Sequence, residues 1–229
     1  MDLTDKVIAF DADDTLWHNE INYRNAEREF ARAMLPYCDS PEKTIRRLME
    51  VEGRNLGLLG YGSKTFIIAL VETALELSGG RLTARQTEEV IRIGKQMAAP
   101  PVQLFPDAER ILQRLSVSHT LVLATKGDLK DQWDKIERSG LAPYFTHIEI
   151  MLEKDPARYR RLLQQLNLPP QRFVMVGNSF KSDIRPVVEI GASAIYIPAE
   201  ITWVHEQVSE FGHPNILRLT RLRELEKFI

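Results

Sequence analysis

Cysteine is nearly missing from this sequence: Cys38 is the only one in 229 residues. That excludes a disulfide framework and a cysteine zinc site, and it leads us to expect an intracellular, cytoplasmic chain. An excess of charge of one sign is missing too. The formal net charge is -2, although 27% of residues are charged. Nothing here draws in nucleic acid or an anionic membrane surface, and neither is expected as a partner. Long hydrophobic runs are also absent. The first apolar run follows a charged start and meets Asp11 after four residues, Val7 to Phe10. It is too short for a signal peptide core or a membrane span. No internal repeat or low-complexity tract is visible. With 44% hydrophobic residues, the chain is long enough to bury one large core, or a core plus a modest insertion.

What the sequence does hold is a series of short, nearly continuous apolar runs. They are Val7 to Phe10, Thr120 to Ala124, Ile148 to Leu152, Phe173 to Val176 and Ala194 to Ile197. Such runs fit strands covered on both faces in a parallel sheet. Helical patterns lie between them. Ala108, Ile111, Leu112 and Leu115 share a face after Pro106, which is expected in a first helical turn. Tyr159, Leu162, Leu163 and Leu166 follow Asp155-Pro156, an N-cap and N1 pair. Strands alternating with helices predict an α/β fold with a doubly wound, Rossmann-like parallel sheet.

From Trp17 to Ala99 the alternation stops and only helical patterns appear. Tyr23, Ala26, Phe30 and Met34 share one face; so do Ile67, Leu70, Val71, Ala74 and Leu75, closed by Gly79-Gly80. Thr83 and Gln86 form a capping box. A helical stretch this long between the first two strands is no simple crossover. Residues 17–99 are therefore expected to be an inserted all-helical domain, with 1–16 and 100–229 forming the core. Pro100-Pro101 would mark the return.

Ligands of an open parallel sheet bind beyond the carboxyl ends of its strands. The residues found there are Asp11 to Thr15, Thr125 to Asp128, Glu153 to Asp155, and Gly177 to Ser179 with Asp183. Carboxylates brought together this way repel and are costly to bury without a cation. Oxygen donors in such number suit a hard divalent ion, with Mg²⁺ expected. A lysine and a hydroxyl beside that ion would complete the electrostatics that phosphoryl transfer requires.

Asp11-x-Asp13-x-Thr15, Thr125, Lys154, and Gly177-Asn178-Ser179 with Asp183 match, in order, the four motifs of the haloacid dehalogenase superfamily. The helical insertion resembles that superfamily's C1-type cap. The resemblance implies a phosphohydrolase acting on a small phosphorylated metabolite. Asp11 would attack phosphorus and become an aspartyl-phosphate. Asp13 would protonate the leaving alcohol and later deprotonate water. Mg²⁺ would be held by Asp11, Asp183 and the carbonyl of Asp13, with Asn178 offering an amide oxygen. Thr125 and the amide of Lys126 would bind phosphoryl oxygens, and Lys154 would offset charge between Asp11 and phosphate. Two departures stand out: Asp14 where many relatives have Gly, and Asn178 where many have Asp. The acid at Asp13 favours phosphate esters over halides. A phosphomutase and a non-catalytic binding protein of the same fold are the alternatives.

Each residue taken singly has a plainer role. Asp11 or Asp13 would be a turn or cap residue, Thr125 a capping hydroxyl, Lys154 a solvated charge, and Asp183 a helix cap. Gly53 to Gly62 follows no strand and lacks a P-loop ending, so it is read as a connection between helices; the resemblance to C1 caps implies that it borders the substrate. His18 is expected at a hinge or helix start. Trp17 and Trp203 are expected to pack, and His205 and His213 fit no metal spacing. The alternating charges of Arg218 to Lys227 look like a solvated helical face.

Overall fold

The computed structural model describes residues 2–99 and 101–228. Two compact units emerge: Met1–Glu20 with Val102–Ile229, and Ile21–Pro101.

The first unit carries β1 (Val7–Phe10), α5 (Ala108–Leu115), β2 (Leu121–Lys126), α6 (Leu129–Ser139) and β3 (His147–Met151). It continues with α7 (Pro156–Gln165), β4 (Phe173–Gly177), α8 (Arg185–Glu189), β5 (Ser193–Tyr196) and β6 (Ile216–Arg218). The six strands form one sheet in the order β3-β2-β1-β4-β5-β6, all parallel. Both faces are covered. Ile8, Phe10, Leu121, Leu123, Val174 and Val176 pack on one side with α5 residues. Ala9, Val122, Ala124, Met175 and Ala194 pack on the other with Tyr159, Leu162 and Leu163. Burial on both sides explains why these strands read as continuous apolar runs rather than alternating ones. The chain reverses direction across the sheet between β1 and β4. Sheets of this kind bind their ligands at such a switch point, beyond the carboxyl ends of the strands.

The second unit contains α1 (Glu20–Ala33, its first residue in the other unit), α2 (Pro41–Leu59), α3 (Ser63–Ser78) and α4 (Ala84–Ala98). Its core joins Phe30, Met34, Leu48, Val51, Phe66, Leu70, Ala74, Val90 and Ile93. The Thr83–Gln86 capping box forms as expected, and Gly79 closes α3 in a left-handed conformation.

Several local expectations need correction. The buried face of α3 is Phe66, Ala69, Leu70, Thr73 and Ala74, about one residue round from the predicted stripe, and Leu75 is exposed. Gly53 is not in a connection. Helix α2 runs through it to Leu59, because stabilising contacts along the helix outweigh the modest propensity cost of glycine. Pro106 lies before the helix, whose N-cap is Asp107. The tail is not a solvated helical face: Arg218 ends β6, and Leu222 and Leu225 are buried in the core. Of Pro100-Pro101, Pro100 lies outside the described residues; α4 ends at Ala98.

No helix among the described residues is long and apolar enough to cross a membrane.

Candidate active site

Asp11 follows β1 directly, and its backbone N–H donates to the carbonyl of Val176 in β4 at 2.9 Å. The nucleophile candidate thus sits on the switch point itself. Its Oδ1 accepts from Lys154 Nζ at 2.5 Å, and the same ammonium donates to Asp183 Oδ1 at 2.6 Å. All three side chains are almost fully buried. Lys154 comes from the loop after β3, Asp183 from a π-helical turn (Phe180–Ile184) after β4. That helix form recurs at functional sites. Ser179 caps the turn by accepting from Ser182 N–H, while Asp183 Oδ2 accepts from Ser179 N–H at 3.0 Å. Asp183 is therefore inside the turn, not its cap. Gly177 makes room for it, because a Cβ there would stand 2.3 Å from the Asp183 carboxyl.

One cation between two buried carboxylates leaves a net negative charge. Burial pushes the Asp11 carboxyl up to about 7, with Lys154 opposing and Asp183 adding to the rise. Burial alone would lower Lys154, but Asp11 and Asp183 hold its ammonium well above the ordinary lysine range. The pocket is short of positive charge.

Oxygens converge at the same place. Thr15 Oγ1 donates to Asp11 Oδ2 at 3.1 Å and to Asn178 Oδ1 at 3.2 Å, although one hydroxyl has one hydrogen to give. Asn178 Oδ1 also faces Asp11 Oδ2 at 3.1 Å and the Asp13 carbonyl oxygen at 3.2 Å. No hydrogen lies between those oxygens. Rotated by 180°, the amide nitrogen would face the same three groups with two hydrogens to give them. A divalent cation held there would instead take the amide oxygen. Among the described residues no three His, Cys, Asp or Glu side chains form a metal cluster. The donor set here mixes two carboxylates, a backbone carbonyl and an amide, and it fits a hard ion. Thr125, next to last in β2, has a buried Oγ1 with no hydrogen-bond partner. Such a group is expected to find one, and a phosphoryl oxygen would serve.

Asp13 lives differently. Its carboxylate accepts from Lys135 Nζ at 2.6 and 2.5 Å, from Gln132 Nε2 at 2.8 Å and from Trp17 Nε1 at 2.7 Å. Burial would raise it, but Lys135 and these hydrogen bonds hold it below the usual carboxylate range. Trp17 is buried, as expected, and also does this polar work. Asp14 takes the left-handed φ of 59° that glycine would adopt freely. Its carboxylate accepts from the N–H groups of Asn19 and Glu20, which steadies the turn and caps the start of α1.

The side chain of Lys126 turns elsewhere. It donates to Glu206 at 2.6 Å and to Ser182 at 3.2 Å. Glu206 also accepts from Ser179 and Ser182, which ties the segment after β5 to the second and fourth motifs. His18 stacks on Phe105 with centroids 4.0 Å apart. Trp203 and His205 pack at 4.6 Å. Lys135, Gln132 and Glu206 belong to none of the motifs in the sequence. The available signal was slight: Gln132 and Lys135 are three apart on the helix that follows the second motif.

A parallel sheet with an acidic cluster beyond β1 and β4 defines a class of hydrolase, and the comparisons agree. A family model of haloacid dehalogenase-like hydrolases matches residues 6–191. The chain belongs to that family. A solved haloacid dehalogenase-like hydrolase from Xanthomonas campestris is 37% identical, covers 94% of this chain and 86% of its own, and superposes with a TM-score of 0.85. The glyceraldehyde 3-phosphate phosphatase of Methanothermobacter thermautotrophicus is 26% identical over 208 residues, 86% of this chain and 87% of that one. Human N-acylneuraminate-9-phosphatase is 27% identical over 128 residues, 54% of this chain and 52% of that one.

Proposed function

We propose that this protein is a phosphomonoester phosphatase acting on a small phosphorylated metabolite through a phosphorylated Asp11. The observation that carries the reading is the buried Asp11–Lys154–Asp183 cluster, with the Asn178 amide close to Asp11 and the Asp13 carbonyl. Relatives named as phosphatases support it. Asp11, Asp183, the Asp13 carbonyl and Asn178 would hold Mg²⁺. The ion would supply positive charge to the phosphoryl oxygens.

In the first half of the reaction Asp11 forms a bond to phosphorus as the ester oxygen leaves and takes a proton from Asp13. Asp13 must enter this step in its acid form, with one of its donors displaced. In the second half water attacks the same phosphorus, giving its proton to Asp13 and freeing Asp11 and inorganic phosphate. Thr125 Oγ1 and the Lys126 N–H would bind phosphoryl oxygens, and Lys154 would neutralise charge between them and Asp11. Within the predicted insertion, the helical unit that begins at Ile21 would serve as the C1-type cap that selects the substrate.

The test is phosphate release from p-nitrophenyl phosphate and a panel of small phosphomonoesters, with Mg²⁺ and with EDTA. The panel includes glyceraldehyde 3-phosphate and N-acylneuraminate 9-phosphate. Turnover should require Mg²⁺ and vanish in Asp11→Asn. Undiminished activity in that variant would sink the mechanism, and isomerised substrate without free phosphate would make the protein a mutase.

A further inference from the structure

Helix α6 begins immediately behind the second motif. Asp128 caps it by accepting from Asp131 N–H at 3.1 Å, so its first turns are fixed relative to Thr125 and Lys126. Gln132 is 4% exposed. It donates both to Asp13 Oδ2 at 2.8 Å and to the Lys126 carbonyl at 2.9 Å. The chain makes space for it: a Cβ at Gly127, whose φ is 147°, would stand 2.7 Å from Gln132 Nε2. One turn on, Lys135 reaches both oxygens of Asp13 and also Asn19 Oδ1 at 3.1 Å. Trp17 closes the ring from the Asp13 side.

An ordinary surface ion pair is satisfied by one flexible cation and contributes little. Here three side chains from two segments fix both oxygens of one carboxylate, and part of that grip is anchored to the backbone of the second motif. A side chain must be held this closely for its proton transfers to be efficient.

We propose that Lys135, with Gln132, is a positioning residue for Asp13, holding its carboxylate where it takes a proton from the water that attacks the phosphorylated Asp11. This rests on the phosphatase reading above. In that step an O–H bond of water breaks, its oxygen bonds to phosphorus, the Asp11–phosphorus bond breaks, and the proton goes to Asp13. Lys135 is placed to act through Asp13, whose two oxygens it holds, and is given no contact with water or phosphorus in this step.

Rapid-mixing kinetics with p-nitrophenyl phosphate test this, because nitrophenolate departs without needing a proton. Lys135→Met should form the phosphoenzyme and then stall. We expect a burst approaching one p-nitrophenol per enzyme, a steady-state kcat lower by about tenfold to a hundredfold, and KM unchanged or lower. Lys135→Arg should recover part of kcat. Gln132→Leu should show a smaller version of the same burst and provides the reading if Lys135→Met does not fold. Loss of rate with no burst, or a rise in KM alone, would reduce the cluster to a structural tie and overturn the proposal. If the wild-type protein turns over and both folded variants match it, only the positioning role fails. If the wild type forms no phosphoenzyme, the phosphatase reading fails first.

Discussion

Asp11 and Asp13 stand two residues apart, and each is paired with a lysine, yet their surroundings are opposite. Asp11 shares Lys154 with Asp183 in a pocket almost closed to solvent, and burial raises its carboxyl. Asp13 has Lys135 on both of its oxygens, with Gln132 and Trp17 adding hydrogen bonds, and its carboxyl is lowered. One site is short of positive charge and the other is saturated with donors. The difference teaches how a single turn after β1 divides its labour. Under the proposed mechanism the starved carboxylate would receive a cation and a phosphoryl group, and the saturated one would be held in place.

The strongest way to break this contrast is to remove Lys154. Lys154→Met would leave two buried carboxylates facing each other with no counter-ion. We expect a loss of about 3–5 kcal/mol in urea unfolding, as for other broken buried pairs, and Mg²⁺ should restore part of it. A variant as stable as wild type would mean that the pocket is not starved of charge.

Asp14 sharpens the comparison with a smaller effect. Burial, together with the neighbouring Asp13, raises its carboxyl to about 6. A folded-state value above the usual 3.8 favours the neutral form. Its contribution to stability is thus fully present below about pH 4 and is lost as pH rises through 6. Asp14→Asn keeps an acceptor for the N–H groups of Asn19 and Glu20 and tolerates the left-handed φ. It should stabilise the protein by about 1 kcal/mol at pH 8, after allowing for screening by solvent, and give no gain at pH 4. Equal gains at both pH values would refute the burial argument.

Much of this contrast was legible in the sequence because strand ends place Asp11, Asp13, Thr125, Lys154, Asn178 and Asp183 without knowledge of contacts. Apolar runs marked β1 to β5, since covered strands need no polar alternation. Strand β6 escaped because Ile216–Arg218 is three residues long and lies in a stretch dominated by charge. Gly53 and Gly57 read as loop, although neighbouring Leu48, Val51 and Glu52 bury one face of α2. Lys135 and Gln132 meet Asp13 across separations of 122 and 119 residues. A pairing of that kind leaves no periodicity to read. Glu206 was hidden for the same reason, 80 residues from Lys126.

The most direct measurement is to quench the enzyme during turnover of a labelled phosphomonoester and locate the acid-stable label by peptide mapping. The label should sit on Asp11 in the wild-type protein and be absent from Asp11→Asn. Label on any other residue, or turnover with no labelled intermediate at all, would contradict the account.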